Sequence, residues 1–351
     1  MTRRPRRFAL VVLLMLLGLA SGTTGLVFTT AFDTPAYAQT EGRVPGNALG
    51  GISDAEMWRD VRQGVKGTVS IPDKKLGTLV QSEGDNWRAW RNGPILVVGA
   101  IAFWVMFFVV FGFYMIRGKV RIKRGKSGRK VLRFGFIERF GHWLTAGSFL
   151  VLAATGVNML YGKFVLIPLL GPQAFSTITQ YGKYIHNYVA FAFMAGLVLI
   201  FVLWVKDNIW DQYDWGWIKK GGGLLFPTAH PAAAKFNFGQ KTVFWAVMVF
   251  GGLLSVTGIN LLFPFMFADL EQMQWIQAIH ATISQIICMM MIAHIYIGTV
   301  GMEDAFHAMS SGYVDENWAK EHHSAWYDKV KEDQAANAGR APGAVSAAPA
   351  E

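Results

Sequence analysis

Five long apolar segments are the strongest constraint that this sequence places on its fold. Each is close to the roughly 20 residues with which an α-helix crosses the hydrocarbon core of a bilayer. The segments lie at about residues 94–116, 136–160, 184–205, 241–263 and 275–301. A backbone in lipid must satisfy its own hydrogen bonds, which an α-helix does within one segment. The sequence therefore predicts an all-α integral membrane protein with five transmembrane helices.

The composition agrees with a membrane protein and excludes other classes. Hydrophobic residues make up 52% of the 351 residues and charged residues only 16%, which excludes a disordered chain. A net charge of +10 would suit a nucleic-acid-binding protein, but the basic residues cluster beside the apolar segments, as in membrane proteins. Cys288 is the single cysteine, so the chain has neither a disulfide framework nor the thiolates for an iron–sulfur cluster. Any iron–sulfur relay must belong to a partner.

The N-terminal region resembles an export signal. A basic start precedes the apolar run from Phe8 to Ala20, and Ala36-Tyr37-Ala38 has the form of a cleavage site. We therefore expect residues 1–38 to be a signal peptide, with an uncleaved anchor as the alternative. Residues 39–93 would follow as an exported N-terminal segment whose role the sequence does not indicate.

The distribution of Lys and Arg predicts the orientation of the spans. Residues 117–133 carry nine Lys or Arg and no acidic residue, whereas 162–183 carry two and 264–275 carry none. Loops rich in positive charge stay in the cytoplasm. The basic loop at 117–135, the loop at 206–240 and the tail at 302–351 are therefore expected inside a bacterial inner membrane, and the mature N-terminus in the periplasm.

Four histidines lie inside the apolar segments. They are His142, His186, His280 and His294. Ionisable side chains at membrane depth are rare, and they usually mark a functional site. His280 and His294 share one segment, and their spacing of fourteen residues places both on nearly the same helix face, roughly 21 Å apart. This leaves room for two separate sites stacked across the membrane.

The predicted orientation also pairs the histidines. His142 and His294 lie near the cytoplasmic ends of their spans, whereas His186 and His280 share the opposite depth. The simplest bundle that uses all four histidines holds two bis-histidine haems. Zinc or copper remains an alternative, although long helices without thiolate or carboxylate partners suit haem better.

Other small or polar residues carry weaker signals. Six glycines in the second and fourth spans would let helices or a porphyrin approach closely, or would serve ordinary small-residue packing between helices. They are Gly141, Gly147, Gly156, Gly251, Gly252 and Gly258. His307, His322 and His323 lie in the tail, where we expect surface roles.

Several motifs together resemble one known family. They are FIERFGHW around His142, YIHNY around His186, KFNFGQK before the fourth span, IHATIS at His280, IAHIYIG around His294 and WAKEHHSAWYDK in the tail. Over about residues 134–330 the chain resembles the cytochrome b (gamma) subunit of membrane-bound formate dehydrogenase. The resemblance implies two b haems held by the same four histidines.

The resemblance also implies a quinone pocket beside the cytoplasmic haem. The asparagine of the family's motif corresponds to Asn237, whose amide can donate a hydrogen bond to a quinone carbonyl. Gly239 could let the quinone ring approach the backbone, and Gln240 could assist. Alternatively, Asn237 is the N-cap of the helix that follows, a position that asparagine favours.

The implied function is electron transfer within an enzyme complex. A catalytic (alpha) subunit with a molybdenum- or tungsten-pterin would oxidise formate outside the membrane, and an iron–sulfur (beta) subunit would pass the electrons on. This chain would take them at the haem of His186 and His280 and move them to the haem of His142 and His294. There it would reduce menaquinone or ubiquinone. The resemblance also implies a four-helix transmembrane bundle at 136–301 that holds the two haems, with the span at 94–116 as one extra N-terminal transmembrane helix. The export signal, the exported segment and this first span are additions to the family's short form.

Two alternatives stay open at this point. The chain could be the related cytochrome b subunit of a nickel–iron hydrogenase or thiosulfate reductase, which keeps the haems and changes the partner. It could instead be a non-redox membrane anchor or metal transporter that binds zinc or copper through the histidines. An absorption spectrum separates the second alternative, because only the haem protein has a reducible b-type Soret band.

Overall fold

The computed structural model describes residues 67–68, 78–80, 83–223 and 231–339. The predicted signal peptide at 1–38 and most of the predicted exported segment at 39–93 lie outside the described residues. The helices and strands follow in this order: β1 Gly67–Thr68, β2 Thr78–Val80, α1 Glu83–Trp90, α2 Leu96–Arg117, β3 Lys130–Leu132, α3 Phe136–Trp204, α4 Asp214–Lys219, α5 Phe238–Leu262, α6 Leu270–Tyr296, α7 Ala305–Ser310, β4 Tyr313–Asp315, α8 Glu316–His322 and α9 Ser324–Gly339. A π-helical turn, Arg91–Ile95, joins α1 to α2, and another, Ile297–Gly301, follows α6. β1 pairs antiparallel with β2, and β3 with β4.

Within the described residues, four helical stretches are long and apolar enough to cross a membrane. They are Asn86–Arg117, Phe136–Trp204, Phe238–Leu262 and Leu270–Gly301. The second stretch, α3, is interrupted at Gly171, whose φ of 80° and ψ of 164° are not helical. Both parts of α3 exceed the roughly 20 residues of a membrane span. Counted on either side of Gly171, these stretches cover the five apolar segments of the sequence to within one residue.

The connection inside α3 is shorter than the sequence indicates. Residues 162–183, expected as a loop, are helical except at Gly171. Pro172 disfavours a helical conformation at the residue before it, and the backbone angles of Gly171 belong to a region that is essentially restricted to glycine. After Gly171 the second part of α3 packs against the first part. Asn158 Nδ2 donates to Thr179 Oγ1 across this contact at 3.1 Å.

The chain divides into two compact units. The described residues of unit one are 67–68, 78–80, 83–117, 147–194 and 249–293, and those of unit two are 118–146, 195–223, 231–248 and 294–339. The loops predicted to be cytoplasmic and the tail all belong to unit two. The loops predicted to be periplasmic belong to unit one.

In unit one, helix α2 is held by polar contacts with α3 and α6. Tyr161 Oη lies 2.6 Å from Gln285 Oε1 and 3.0 Å from the carbonyl oxygen of Leu96. Gln285 Nε2 donates to the carbonyl of Ile95 at 3.2 Å. Gly99 makes this approach possible, since a Cβ built there would lie 1.5 Å from Gln285 Oε1. Small residues let apolar helices come this close in membranes.

In unit two, the basic loop packs against the tail. β3 pairs with β4, and Val120 N donates to the carbonyl of Gly301 at 2.8 Å. The loop also meets the acidic residues of the tail, which are Glu303, Asp304, Asp315, Glu316 and Glu321. The excess of acidic residues in the tail therefore has a structural role. Because they pack together, the loop and the tail must lie on the same side of a membrane.

An aromatic cluster forms the core of unit two. Its buried rings include Phe134, Trp204, Phe236, Trp318 and Trp326. The Phe134 ring centroid lies 5.6 Å from that of Trp204 and 5.7 Å from that of Phe236. Loop, helix and tail thus share one apolar centre.

Arg133 and His323 lie inside this cluster. An Arg133 Nη atom donates to the carbonyl of Lys235 at 2.8 Å and lies 2.9 Å from His323 Nε2. Burial lowers the pKa of Arg133 to about 9, so its guanidinium stays charged at neutral pH. Burial, and then the charge of Arg133, lower the pKa of His323 well below its usual value. The expected surface role for His323 is wrong, because the folded tail leaves its residue surface only 1% exposed.

Candidate functional site

The four histidines of the apolar helices face one another in two pairs. In unit one, the ring centroids of His186 and His280 are 6.4 Å apart. In unit two, those of His142 and His294 are 6.5 Å apart. These are the pairs expected from the sequence. The distance between the two rings of a pair also bears on whether they could ligate a metal.

The spacing suits one metal atom between two imidazoles. A ring nitrogen lies about 1.2 Å from the centroid of its ring, and a metal–nitrogen bond is about 2.0 Å long. Two imidazoles on opposite sides of one metal therefore have centroids about 6.4 Å apart. Among the residues that the structure describes, no three His, Cys, Asp or Glu side chains are grouped so that they could hold a metal ion. A metal here needs its remaining ligands from elsewhere, which a porphyrin supplies and a zinc or copper site built from protein does not.

The His186 ring is held by a threonine from the facing part of α3. Thr155 Oγ1 lies 2.8 Å from His186 Nδ1, and also 2.8 Å from the carbonyl oxygen of Val151. The next residue is Gly156, where an added Cβ would lie 3.6 Å from His186 Cε1. The contact at Nδ1 leaves Nε2 as the nitrogen available to a metal.

His280 has the same surroundings, supplied by α5. Thr257 Oγ1 lies 2.8 Å from His280 Nδ1 and 2.7 Å from the carbonyl oxygen of Leu253. A Cβ added at Gly258 would lie 3.5 Å from His280 Cε1. Sequence reasoning named these two glycines among six and missed the threonines. The signal was present as a repeated Thr-Gly-x-Asn, at residues 155–158 and 257–260.

The pair in unit two has a different environment. His142 Nδ1 is buried and has no hydrogen-bond partner in the described part of the chain. The Trp143 ring stands edge-on to the His142 ring, with centroids 5.2 Å apart. The helices behind this pair pack through Gly196, where an added Cβ would lie 2.5 Å from Thr145 Oγ1.

The residues expected at the quinone site have structural contacts of their own. Gln240 N donates to Asn237 Oδ1 at 3.0 Å, and Asn237 N donates to Gln240 Oε1 at 3.1 Å. This reciprocal pair is a capping box at the start of α5, so the alternative of an N-cap describes the local geometry. A Cβ added at Gly239 would lie 3.0 Å from the Trp217 ring, so close packing also requires this glycine. Contact of the three residues with quinone remains a prediction.

Comparison with known proteins identifies the family. Residues 133–312 match the family described as prokaryotic cytochrome b561. The chain belongs to this family. The matched residues include all four histidines of the facing pairs. A cytochrome b carries haem b, and the apolar helices make this cytochrome a multi-pass membrane protein.

Three curated relatives illustrate the similarity. The cytochrome is 29% identical over 214 residues to the cytochrome b556(Fdn) subunit of the nitrate-inducible formate dehydrogenase of Escherichia coli K12, covering 60% of this chain and 95% of that protein. It is 27% identical over 205 residues to the b556(fdo) subunit of formate dehydrogenase from the same strain, covering 57% and 93%. A formate dehydrogenase cytochrome b556 subunit of Haemophilus influenzae is 24% identical over 214 residues, covering 58% and 87%.

Proposed function

We propose that this cytochrome is the dihaem membrane subunit of a formate dehydrogenase complex and carries electrons from an iron–sulfur subunit to quinone. The observation that carries the proposal is the pair of histidine ring spacings, 6.4 and 6.5 Å, in a chain of the cytochrome b561 family. The names of the relatives support formate as the electron source. In this proposal the oxidation of formate itself belongs to a partner subunit.

Each histidine pair would hold the iron of one haem b. When bound, haem iron supplies transfer of one electron at a time. Each pair would supply ring nitrogens from two facing helical segments to hold the iron. Apolar helix faces exclude water and leave few other ligands. In unit one, Gly156 lies beside the His186 ring and Gly258 beside the His280 ring, where an added Cβ would be in van der Waals contact with the ring.

The proposed path runs from the periplasmic side to the cytoplasmic side of the inner membrane. His186 and His280 would face the iron–sulfur (beta) subunit and the molybdenum- or tungsten-pterin (alpha) subunit. His142 and His294 would face the cytoplasm. The division of the chain supports this assignment, because the second pair shares unit two with the basic loop and the tail. Protons taken up inside would make the quinone reduction electrogenic.

Quinone would be reduced beside Asn237. Its side-chain oxygen and its backbone N–H are used by the capping box, but its side-chain nitrogen, Nδ2, makes no hydrogen bond to the described residues. That nitrogen can donate to a quinone carbonyl and stabilise the negative charge that develops on it. Gly239 and Gln240 would complete this side of the pocket. Asn237 shares unit two with the His142 and His294 pair, which supports the placement.

The decisive test uses the complex purified from membranes. We expect two haem b per chain, a Soret band that shifts on reduction, and full reduction of both haems by formate in the presence of the partner subunits. A preparation that lacks haem, or holds one haem per chain, overturns the dihaem proposal. Reduction by hydrogen or thiosulfate in place of formate would identify the hydrogenase or thiosulfate reductase alternative. Bound zinc or copper without haem would identify the metal transporter.

A further inference from the structure

Thr155 and Thr257 do more than fill space beside the histidine rings. We infer that they are positioning residues, which fix the tautomer of His186 and His280 and give the haem held by these two histidines the lower reduction potential. The inference rests on the proposed function, since it requires a haem between these rings. A lower potential at this haem gives a physical reason why electrons move from it to the other haem.

The threonine hydroxyls determine which nitrogen of each histidine ring carries the proton. A hydroxyl group has one hydrogen to donate and two lone pairs that accept. Thr257 lies 2.7 Å from the carbonyl oxygen of Leu253, which can only accept, so its hydrogen is directed there. The contact of 2.8 Å with His280 Nδ1 must then be an N–H that donates to the hydroxyl oxygen. The proton of His280 is therefore on Nδ1, and Nε2 carries the free lone pair.

Thr155 acts on His186 in the same way. It donates to the carbonyl of Val151 at 2.8 Å and accepts from His186 Nδ1 at 2.8 Å. The ring proton of His186 is therefore on Nδ1, as it is in His280.

The hydrogen bond at Nδ1 of the histidine affects the reduction potential of the haem. A metal-bound imidazole that donates its other N–H becomes a more basic ligand. A more basic ligand stabilises ferric iron over ferrous iron, so the reduction potential falls. Hydrogen bonding around the ligands is one of the means by which proteins set haem potentials.

In the other pair, His142 has no such hydroxyl partner in the part of the chain that the structure describes. His142 Nδ1 is buried without a hydrogen-bond partner among the described residues, and its ring contacts the Trp143 ring instead. Thr145, one turn along the same helix, donates to the carbonyl of Gly141 at 2.9 Å. With a less basic ligand, the haem of His142 and His294 has the higher potential. Electrons then move energetically downhill from the threonine-held pair to the other pair.

The test is a redox titration of both haems in the purified complex. Thr257→Val keeps the shape of the side chain and removes the acceptor for His280. We expect the lower midpoint potential to rise enough to change the ferric-to-ferrous ratio about tenfold at a fixed potential, which is about 59 mV for one electron. The higher midpoint should not move. Thr257→Ser, which restores the hydroxyl, should return the lower midpoint toward the wild-type value.

Thr282→Val is the matched control. Thr282 lies on the same helix as His280, is exposed, and donates to the carbonyl of Ala278 at 2.8 Å as Thr257 does to Leu253. It has no histidine contact among the described residues, so both midpoints should stay unchanged. An unchanged lower midpoint in a Thr257→Val complex that retains both haems overturns the inference, as does a shift confined to the higher midpoint.

A second measurement covers loss of haem from Thr257→Val. In His294→Ala the remaining haem should titrate at the lower of the two wild-type midpoints, and in His280→Ala at the higher. The opposite order overturns the inference while leaving the dihaem proposal intact. Absence of haem from the wild-type complex would instead overturn the proposed function.

Discussion

Each histidine of the apolar helices has one other histidine ring close to it. No group of three or more potential metal ligands occurs in the described residues. Replacement of either member of a pair should therefore release one haem, because the apolar surroundings offer no replacement ligand. We expect His280→Ala and His294→Ala each to lower the haem content from two per chain to one. Low-temperature spectra of the two variants should show different remaining haems. His307→Ala, at an exposed position of the tail, should retain both.

The pairing itself is tested by the two other histidines. His186→Ala should leave the same spectrum as His280→Ala, and His142→Ala the same as His294→Ala. Identical residual spectra for His142→Ala and His186→Ala, in variants that still fold, would show that the pairs are wrong.

Asn237 combines a cap with a proposed contact to quinone, and two substitutions separate these roles. Asn237→Asp keeps the oxygen that accepts from Gln240 N and removes the amide donor. We expect it to retain stability, both haems and reduction of the haems by formate, while losing most quinone reductase activity. Asn237→Leu should also lower the free energy of unfolding by about 1 kcal/mol, the usual effect of losing a cap. Normal quinone kinetics in a haem-replete Asn237→Asp complex would leave the residue with its capping role alone.

The sequence singles out the four histidines but indicates little about their surroundings. A titratable ring at membrane depth is conspicuous because burial without a partner is unfavourable. In contrast, many threonines in helices bond only to their own backbone, so the residue type alone does not distinguish Thr155 and Thr257. Only the repeat of Thr-Gly-x-Asn sets them apart. The burial of His323 depends on contacts with Arg133 and Ala234, far away in the sequence, which no local pattern reports.

At the scale of helices, Gly99 controls the contact between α2 and its neighbours. A methyl group there would overlap Gln285 Oε1, so Gly99→Ala should lower the free energy of unfolding by about 1–3 kcal/mol, the usual effect of overpacking. Gly147→Ala is the matched control, since a Cβ at Gly147 meets nothing within 4 Å. Alanine is the better helix former, so this variant should be at least as stable as the wild type. Thermal unfolding in detergent measures both. Equal stability of the two variants would mean that α2 does not pack as described.

The lengths of the helices show where pattern reading reaches its limit. The apolar segments give the positions of the spans, but α3 and α6 extend beyond them, because helical hydrogen bonds continue through Tyr161 to Leu170 and through Leu270 to Gln274. Hydropathy measures how far a segment is apolar and does not determine where its backbone stops being helical. The end of the first part of α3 comes from Gly171 and Pro172, a local signal that a search for polar loops overlooks.

For the whole molecule, the orientation in the membrane can be tested by labelling. In a Cys288→Ser background, Lys123→Cys places a thiol on an exposed position of the basic loop, and Ser176→Cys places one on an exposed position of the segment predicted to be periplasmic. An impermeant thiol reagent applied to intact cells should label position 176 and should label position 123 only after the membrane is opened. Labelling in the reverse order would invert the proposed electron path.

The folded tail should be sensitive to mild acid. The pKa of His323 is lowered in the folded state, so the folded protein binds fewer protons than the unfolded chain. The stability that depends on neutral His323 is therefore present above about pH 6.5 and is lost as the pH falls through that value, by about 1.4 kcal/mol per pH unit. The pKa values of Asp315 and Glu316 lie below their usual range, so these carboxylates become protonated only at lower pH.

Limited proteolysis of the tail between about pH 7 and pH 5 measures this effect. His323→Gln keeps an acceptor for Arg133 without the titration, so its tail should lose less protection on acidification. Equal acid sensitivity in the two proteins would assign the effect to other groups.

The pairing of the basic loop with the acidic tail also bears on biosynthesis. Ribosomes add about 5–20 residues per second from the N-terminus, so Arg117 to Arg133 emerge well before Glu303 to Glu321. During insertion of the first helices, the positive charges of the loop lack the carboxylates of the tail and are free to interact with anionic lipid headgroups. They become partly neutralised only when the last segment of the chain is complete. The charge that would orient the nascent chain is thus available while the helices insert, and it is reduced on the surface of the finished protein.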